Sequence, residues 1–171
     1  MKRLCTTLSP LSCVVAVGLM GSACAHQPSL APGSGGERPT HTRAAERGTV
    51  AGGETWFTGE TAVSMLFTPN GPRDFSGATV TFQPGARTRW HSHPAGQTLV
   101  VTEGTGWVQL EGKERLQVNP GDVVWTPPGV RHWHGATAGA AMTHIALQGE
   151  VQGRTVDWFE PVTDALYLGS E

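Results

Sequence analysis

The sequence predicts an all-β domain, an antiparallel sandwich or barrel, and three observations support this fold class. Within residues 54–171, short β-rich runs alternate with turns that contain Gly and Pro. No long segment there has the 3.6-residue apolar period of a helix, and no internal repeat is visible. All three cysteines (Cys5, Cys13 and Cys24) precede this region. The domain therefore cannot be held together by disulfides and needs an apolar core.

Eight runs are candidate strands, and turn signals such as Pro69-Asn70-Gly71 and Asn119-Pro120-Gly121 separate most of them. The candidates are residues 63–67, 78–82, 87–93, 98–102, 106–111, 113–118, 123–126 and 142–147. Alternation places Ala78 and Val80 on one face of the second run, with Phe82. In the last run it places one set of side chains on a common face: Met142, His144, Ala146 and Gln148.

The first 25 residues have the pattern of an export signal. Lys2 and Arg3 precede an apolar stretch, residues 11–20, that is too short to span a membrane. Cys24 follows small residues, as in a bacterial lipoprotein cleavage site where the thiol acquires lipid. Ala23-Cys24-Ala25 also fits the A-x-A site of ordinary secretion. We expect the lipoprotein type. Both alternatives predict an exported protein in the periplasm or cell envelope, attached to a membrane only through an N-terminal lipid.

Residues 26–53 are rich in Pro, Gly, Ser, Thr and Arg without apolar periodicity, which predicts a flexible linker before the folded domain, residues 54–171. The formal charge of -2, from 12 basic and 14 acidic residues, leaves no basic face for nucleic acid. The expected partner is a small, weakly charged molecule.

Three histidines and a glutamine are spaced as ligands of one metal ion. His91 and His93 alternate on a predicted strand, so their side chains point the same way. Gln97 follows a Pro-Ala-Gly turn that can bring it back beside them, and His132 comes from a second stretch. Imidazole is the usual protein ligand for first-row transition metals. A hydrogen-bonding role without metal contact remains the alternative for Gln97.

In a regular strand, alternation would turn the charged side chains of Arg87 and Arg89 to the same face as His91. Two buried charges there would be unfavourable. The pattern therefore favours a bulge or bend before Trp90.

These residues form a pattern similar to the double motif of the cupins. Its positions are Gly85, His91, His93, Gln97 and Gly104, followed by Gly121, Pro127, Gly129 and His132. Gln97 stands where most metal-binding cupins have Glu, and Ala136 where the second motif usually ends in Asn. The Gln variant, with His132-Trp133-His134-Gly135 and Met142-Thr143-His144, resembles the small bacterial cupins with manganese-dependent hydroxynitrile lyase activity. The resemblance runs from about Trp56 to Tyr167.

The resemblance implies a single cupin jelly-roll β-barrel and a metal-dependent lyase that cleaves or forms cyanohydrins. Manganese is the implied metal, with Fe²⁺, Ni²⁺ and Zn²⁺ as alternatives. His144 is implied to be the general base. Exchanging Glu for neutral Gln97 raises the formal charge of a divalent centre from plus one to plus two, which favours Lewis-acid chemistry over dioxygen reduction.

The predicted substrate-binding residues surround this centre. Thr88, and Gln148 more weakly, are expected to hydrogen-bond substrate or cyanide. The small Ala78 and Val80 side chains leave room for it. His134 is expected to form a wall of the pocket rather than to be a ligand.

Three function classes remain open. The first is a lyase acting on a cyanohydrin, on aldehyde plus cyanide, or on a related hydroxy compound. The second is a cupin dioxygenase or other oxidoreductase, and the third a non-catalytic envelope protein that binds a small molecule. Cupins often dimerise through their sheets, so a homo-oligomer is a further expectation.

Overall fold

The computed structural model describes residues 38–169 of the chain. The predicted signal segment 1–25, with the lipidation candidate Cys24, and residues 26–37 of the predicted linker lie outside these residues. Residues 40–169 belong to one compact unit. Within residues 38–169, no helix has the length and apolar character needed to cross a membrane.

The described chain consists almost entirely of β-strands, as predicted. After a 3₁₀ turn at Ala44–Glu46, the strands are β1 Val50–Ala51, β2 Phe57–Thr58, β3 Thr61–Phe67, β4 Phe75–Phe82, β5 Arg87–Thr88, β6 His91–Ser92, β7 Gln97–Gly104, β8 Gly106–Leu110, β9 Leu116–Val118, β10 Val123–Thr126, β11 His132–Ala136, β12 Met142–Gly149 and β13 Asp157–Trp158. One short helix, α1 Asp164–Leu168, follows them.

Two antiparallel sheets form the predicted jelly roll. Sheet A has the order β1-β3-β4-β12-β7-β10. Sheet B has the order β13-β6-β11-β5-β2, with β8 paired to β11 and β9 paired to β8. Strand β1 falls at the end of the predicted linker and pairs with β3 through Val50↔Val63. Many neighbouring strands are distant in sequence, so the sheets bring the two histidine-containing segments, around residues 91–97 and 132, together.

The single strand expected over residues 87–93 is interrupted. Arg87 pairs with Gly135, whereas His91 pairs with His132, so β11 advances three residues while the opposing chain advances four. The extra residue is a bulge, which reverses the alternation of side chains. Arg87 therefore points away from the face that His91 occupies, and the bulge expected before Trp90 is confirmed.

Five short elements were not among the predicted strands: β1, β2, β11, β13 and α1. The most important is β11, whose sequence His-Trp-His-Gly-Ala lacks the β-branched residues typical of a strand. Its side chains are all buried because β5, β6 and β8 pair with it from both sides. Tertiary packing, rather than local propensity, produces this strand.

The main core lies between the two sheets. Its buried apolar residues include Ala78, Val80, Phe82, Leu99, Val101, Val108, Met142 and Ala146. Ala78, Val80 and Phe82 share the inner face of β4, as predicted, and the even-numbered residues of β12 alternate inward. This alternation brings His144 to the interior.

A second core packs on the outer face of sheet B. Trp90, Trp133, Val162 and Tyr167 form it. The guanidinium of Arg87 holds the C-terminal segment there: it donates to the Val162 carbonyl (2.9 Å) and lies 4.4 Å from the centre of the Tyr167 ring. The C-terminal segment therefore covers the back of the sheet that carries the histidines.

Candidate metal centre and its cavity

Three histidines converge between the sheets. His91 on β6 and His132 on β11 are direct cross-strand partners, and His93 follows β6 by one residue. One ring nitrogen of each lies within 4.8 Å of those of the other two. All three are buried, with at most 3 % of their surface exposed. Spacing of this kind matches a set of imidazoles arranged around one ion.

Backbone carbonyls orient the three rings. The Nδ1 atoms of His91, His93 and His132 lie 3.0, 2.5 and 3.0 Å from the carbonyl oxygens of Arg89, Thr155 and Val130. Because a carbonyl can only accept, each Nδ1 carries the hydrogen and each Nε2 keeps a lone pair. The Nε2 of His93 is buried without a hydrogen-bond partner among the described residues. Such a buried lone pair is the feature that a bound cation would satisfy.

Gln97 lies beside this cluster. A turn closed by the Gly96 N–H donating to the His93 carbonyl (3.1 Å) reverses the chain, and Gly96 adopts a φ of 78° that favours glycine. The Gln97 Oε1 atom then lies 3.0 Å from Nε2 of His132. Two ligand atoms at right angles, each about 2.1 Å from a metal, would be about 3.0 Å apart. The three histidines thus fit a divalent ion, and the Gln97 oxygen lies at the edge of their cluster.

Burial keeps the three imidazoles neutral. Desolvation lowers the pKa of His91 well below 6.5, and the neighbouring His132 and His93 lower it further. Burial also lowers the pKa of His93, and that of His132 to about 4. Neutral imidazole is the form that binds a metal, so the lone pairs are available at neutral pH.

A second pair of histidines lies next to the cluster. The Nε2 atom of His144, on sheet A, is 3.1 Å from Nδ1 of His134, on sheet B. The outward atoms of the pair, Nδ1 of His144 and Nε2 of His134, have no hydrogen-bond partner in the described part of the chain. Burial lowers the pKa of His144 to about 4. Burial also lowers the pKa of His134 well below 6.5, and electrostatic repulsion from His144 lowers it further. Both rings are therefore neutral at neutral pH, and one of these two outward nitrogens carries a lone pair that no described residue engages.

Phe82 helps to position this pair. Its ring centre is 5.8 Å from that of His134 and 5.5 Å from that of His144. The Thr88 hydroxyl lies nearby and accepts from the His134 N–H at 3.1 Å, which leaves the hydroxyl hydrogen available to a ligand.

A cavity of about 160 Å³ connects these groups. Nine residues predicted for the site line it: Ala78, Val80, Thr88, His91, His93, Gln97, His134, His144 and Gln148. His132 belongs to the metal cluster without lining the cavity. Five lining residues were missed by the sequence analysis, namely Phe57, Val63, Ala146, Val156 and Trp158. The inward alternation of β12 was the available signal for Ala146, whereas the others come from distant segments.

The chain matches the Cupin domain model over residues 78–147. It is 54 % identical to the (R)-mandelonitrile lyase of Granulicella tundricola over 112 residues, which cover 66 % of this chain and 86 % of the relative. It is also similar to the crystal structure of a cupin-like protein from Thermotoga maritima. That match has a TM-score of 0.69 and 42 % identity over 75 % of this chain and 96 % of the other.

A cupin-2 domain structure from Rhodospirillum rubrum has the same fold at 19 % identity, with a TM-score of 0.57 over 78 % of this chain and 88 % of the other. The two-sheet topology, the converging histidines and the sequence identity to these relatives all indicate the same family. The protein belongs to the cupin family.

Proposed function

We propose that this cupin is a metal-dependent lyase that cleaves and forms cyanohydrins. The observation that carries the proposal is that His91 and His93 of the metal cluster line the same cavity as the pair His134 and His144. Such a site can bind a hydroxyl compound and remove its proton. The 54 % identity to a protein named (R)-mandelonitrile lyase supports cyanohydrins as the substrate class.

In this proposal, His91, His93 and His132 hold a divalent ion and Gln97 is the fourth ligand. Manganese is the metal we propose. A divalent ion bound by these neutral side chains would supply Lewis acidity toward the substrate hydroxyl. The carbonyls of Arg89, Thr155 and Val130 keep the imidazoles in the tautomer that such binding needs.

His144 acts as the general base. Its Nδ1 atom accepts the hydroxyl proton, the oxygen forms the second bond of the carbonyl, and the carbon–carbon bond breaks with its electron pair leaving on cyanide. The proton then passes to cyanide, so aldehyde and hydrogen cyanide depart and the imidazole is neutral again. Synthesis is the reverse. During the step, Nε2 of His144 donates to Nδ1 of His134, which stabilises the transient positive charge.

The remaining lining residues orient the substrate. The Thr88 hydroxyl donates to the cyano nitrogen, and Gln148, whose buried Oε1 has no partner among residues 38–169, hydrogen-bonds more weakly. Ala78, Val80 and Ala146 form an apolar wall with small side chains, against which the substituent of the substrate packs.

Metal analysis of the purified protein, followed by measurement of benzaldehyde release from mandelonitrile, tests the proposal. The His144→Ala variant should retain its metal and lose about 10²–10⁴-fold in turnover, the usual contribution of a general base. His41→Ala, at an exposed position outside the cavity, is the matched control. Full activity in His144→Ala would remove the base assignment. Oxygen uptake by iron-loaded protein without aldehyde release would instead assign an oxidoreductase.

We also propose that the protein is exported and carries lipid on Cys24. The charged start, the short apolar stretch and the small residues before Cys24 support this. Labelling with a fatty acid, followed by fractionation of cells that express the wild type or Cys24→Ala, tests it. Label on the wild type alone is expected, and an unlabelled wild type in the cytoplasmic fraction would contradict it.

A further inference from the structure

A second hollow, the outer groove, adjoins the metal cavity. It measures about 310 Å³ and is lined by residues 50–53, Trp56, Phe57, Val63 and Trp158. Its lining consists of Val, Ala, Gly, Phe and Trp side chains, without a charged residue. A ligand that occupies this groove is therefore uncharged and apolar over the part that lies there.

Three side chains separate the outer groove from the metal cavity, because Phe57, Val63 and Trp158 line both. The rings of Phe57 and Trp158 stand 6.3 Å apart in an edge-to-face arrangement. The centre of the Trp158 ring lies 4.9 Å from that of His91. If the reacting end of a substrate lies at the metal cluster, its substituent therefore lies within about one ring length of Phe57 and Trp158.

The volume of the metal cavity limits what it can enclose. At about 160 Å³ it is close to the roughly 150 Å³ of a cavity known to hold one benzene molecule. A substrate with one aromatic ring fills it. A larger substituent extends beyond it, and Phe57, Val63 and Trp158, which border both hollows, lie on the side of the outer groove.

We propose that the outer groove is a substrate subsite, which binds the distal, uncharged aromatic part of substrates with more than one ring. The inference rests on the proposed function for the reacting end of the molecule. Edge and face contacts with Trp56, Phe57 and Trp158 hold the distal ring, since aromatic pairs favour these geometries. The preferred substrates are then two-ring aryl cyanohydrins rather than the single-ring compound.

Gly53 lines the outer groove but not the metal cavity, and a larger side chain can be added there. A Cβ atom added there meets no atom within 4 Å, and the φ of Gly53 lies outside the left-handed region, so a side chain is tolerated. The carbonyl of Gly53 accepts from the N–H groups of Trp56 and Phe57, so its backbone position is held by that turn. Gly48, which also has no atom within 4 Å of an added Cβ and lies outside the groove, is the matched control.

The test compares Gly53→Phe with Gly48→Phe in the full-length, manganese-loaded protein. Binding of benzyl alcohol and of 4-phenylbenzyl alcohol is measured by tryptophan fluorescence or calorimetry, and KM is measured for mandelonitrile and for its 4-phenyl analogue. Gly53→Phe should weaken binding of the two-ring alcohol about tenfold or more, since burial of one ring accounts for that difference, and should change the one-ring alcohol less than about twofold. Gly48→Phe should change neither.

Equal effects of Gly53→Phe on the two alcohols, or no effect on either, would overturn the subsite. A changed oligomeric state of Gly53→Phe in sedimentation would also overturn it, because the groove would then be an interface with a second copy. Because the alcohols bind without being turned over, their binding tests the subsite independently of the lyase function. Selective loss of two-ring binding in a protein that releases no aldehyde would support the groove and reject the lyase.

Discussion

Mild acid should unfold the metal-free protein, because its cavity buries neutral histidines. Burial lowers the pKa of His132 and of His144 from 6.5 to about 4. Between these pH values the unfolded chain binds more protons than the folded protein. The stability contributed by the neutral rings is therefore fully present above pH 6.5 and is lost as the pH falls towards 4.

The size of the effect follows from the two pKa values. One such ring lowers the free energy of unfolding by about 3 kcal/mol between pH 7 and pH 4, so His132 and His144 together remove about 6 kcal/mol. His91, His93 and His134, whose pKa values burial also lowers, act in the same direction. Because domains are stable by only about 5–15 kcal/mol, the metal-free protein should unfold at roughly pH 5 to 4.

Urea denaturation followed by tryptophan fluorescence, in EDTA at pH 7, 6 and 5, measures this loss. At pH 5 the His144→Asn variant should lose about 2 kcal/mol less than the wild type, because one titrating ring is absent. Saturating Mn²⁺ should move the acid transition to lower pH, since the ion competes with protons for the lone pairs. A free energy of unfolding that changes by less than about 1 kcal/mol between pH 7 and pH 5 in EDTA would refute the reasoning.

Three further variants test the charge of the site and the packing around it. Gln97→Glu should retain metal, measured by elemental analysis, and lose about tenfold or more in cyanohydrin cleavage, because the carboxylate lowers the formal charge of a bound divalent ion. Arg87→Met should destabilise the fold by about 2–4 kcal/mol in urea denaturation, because the Val162 carbonyl loses its buried donor. The ion pair of Arg87 with Asp164 contributes little to this, since the Asp164 side chain is 85 % exposed. Phe82→Ala, at a fully buried position against His134 and His144, should cost about 3–5 kcal/mol and lower the Tm.

Local sequence patterns predicted most of the strands and the histidine triad because both depend on short-range geometry. Alternation fixes which side chains of β4 and β12 point inward, and Gly96 marks the turn that returns Gln97 to the cluster. Strand β11 escaped prediction, because pairing with three neighbours outweighs its weak local propensity. Its alternation turns Trp133 outward into the second core, between the inward His132 and His134.

Arg87 illustrates the difference between what local sequence predicts and what tertiary packing adds. Regular alternation would place its charge beside His91, and the sequence offered only the inference that a bulge must intervene. The structure places the bulge between Arg87 and His91 and provides the partner, the Val162 carbonyl, 75 residues further along the chain. A contact over such a separation depends on how the C-terminal segment docks, and local propensities carry no information about docking.

Side-chain alternation and turn chemistry act over a few residues, so the amino-acid pattern predicts the all-β class, the two histidine motifs and most of the residues that face the interior. Which of these interior groups contact one another depends on how the two sheets pack. His134 and His144 belong to different sheets and form one hydrogen-bonded pair only because the sheets face each other. Phe57 and Trp158 come from opposite ends of the domain and border both hollows only because β2 and β13 pair with the consecutive strands β5 and β6.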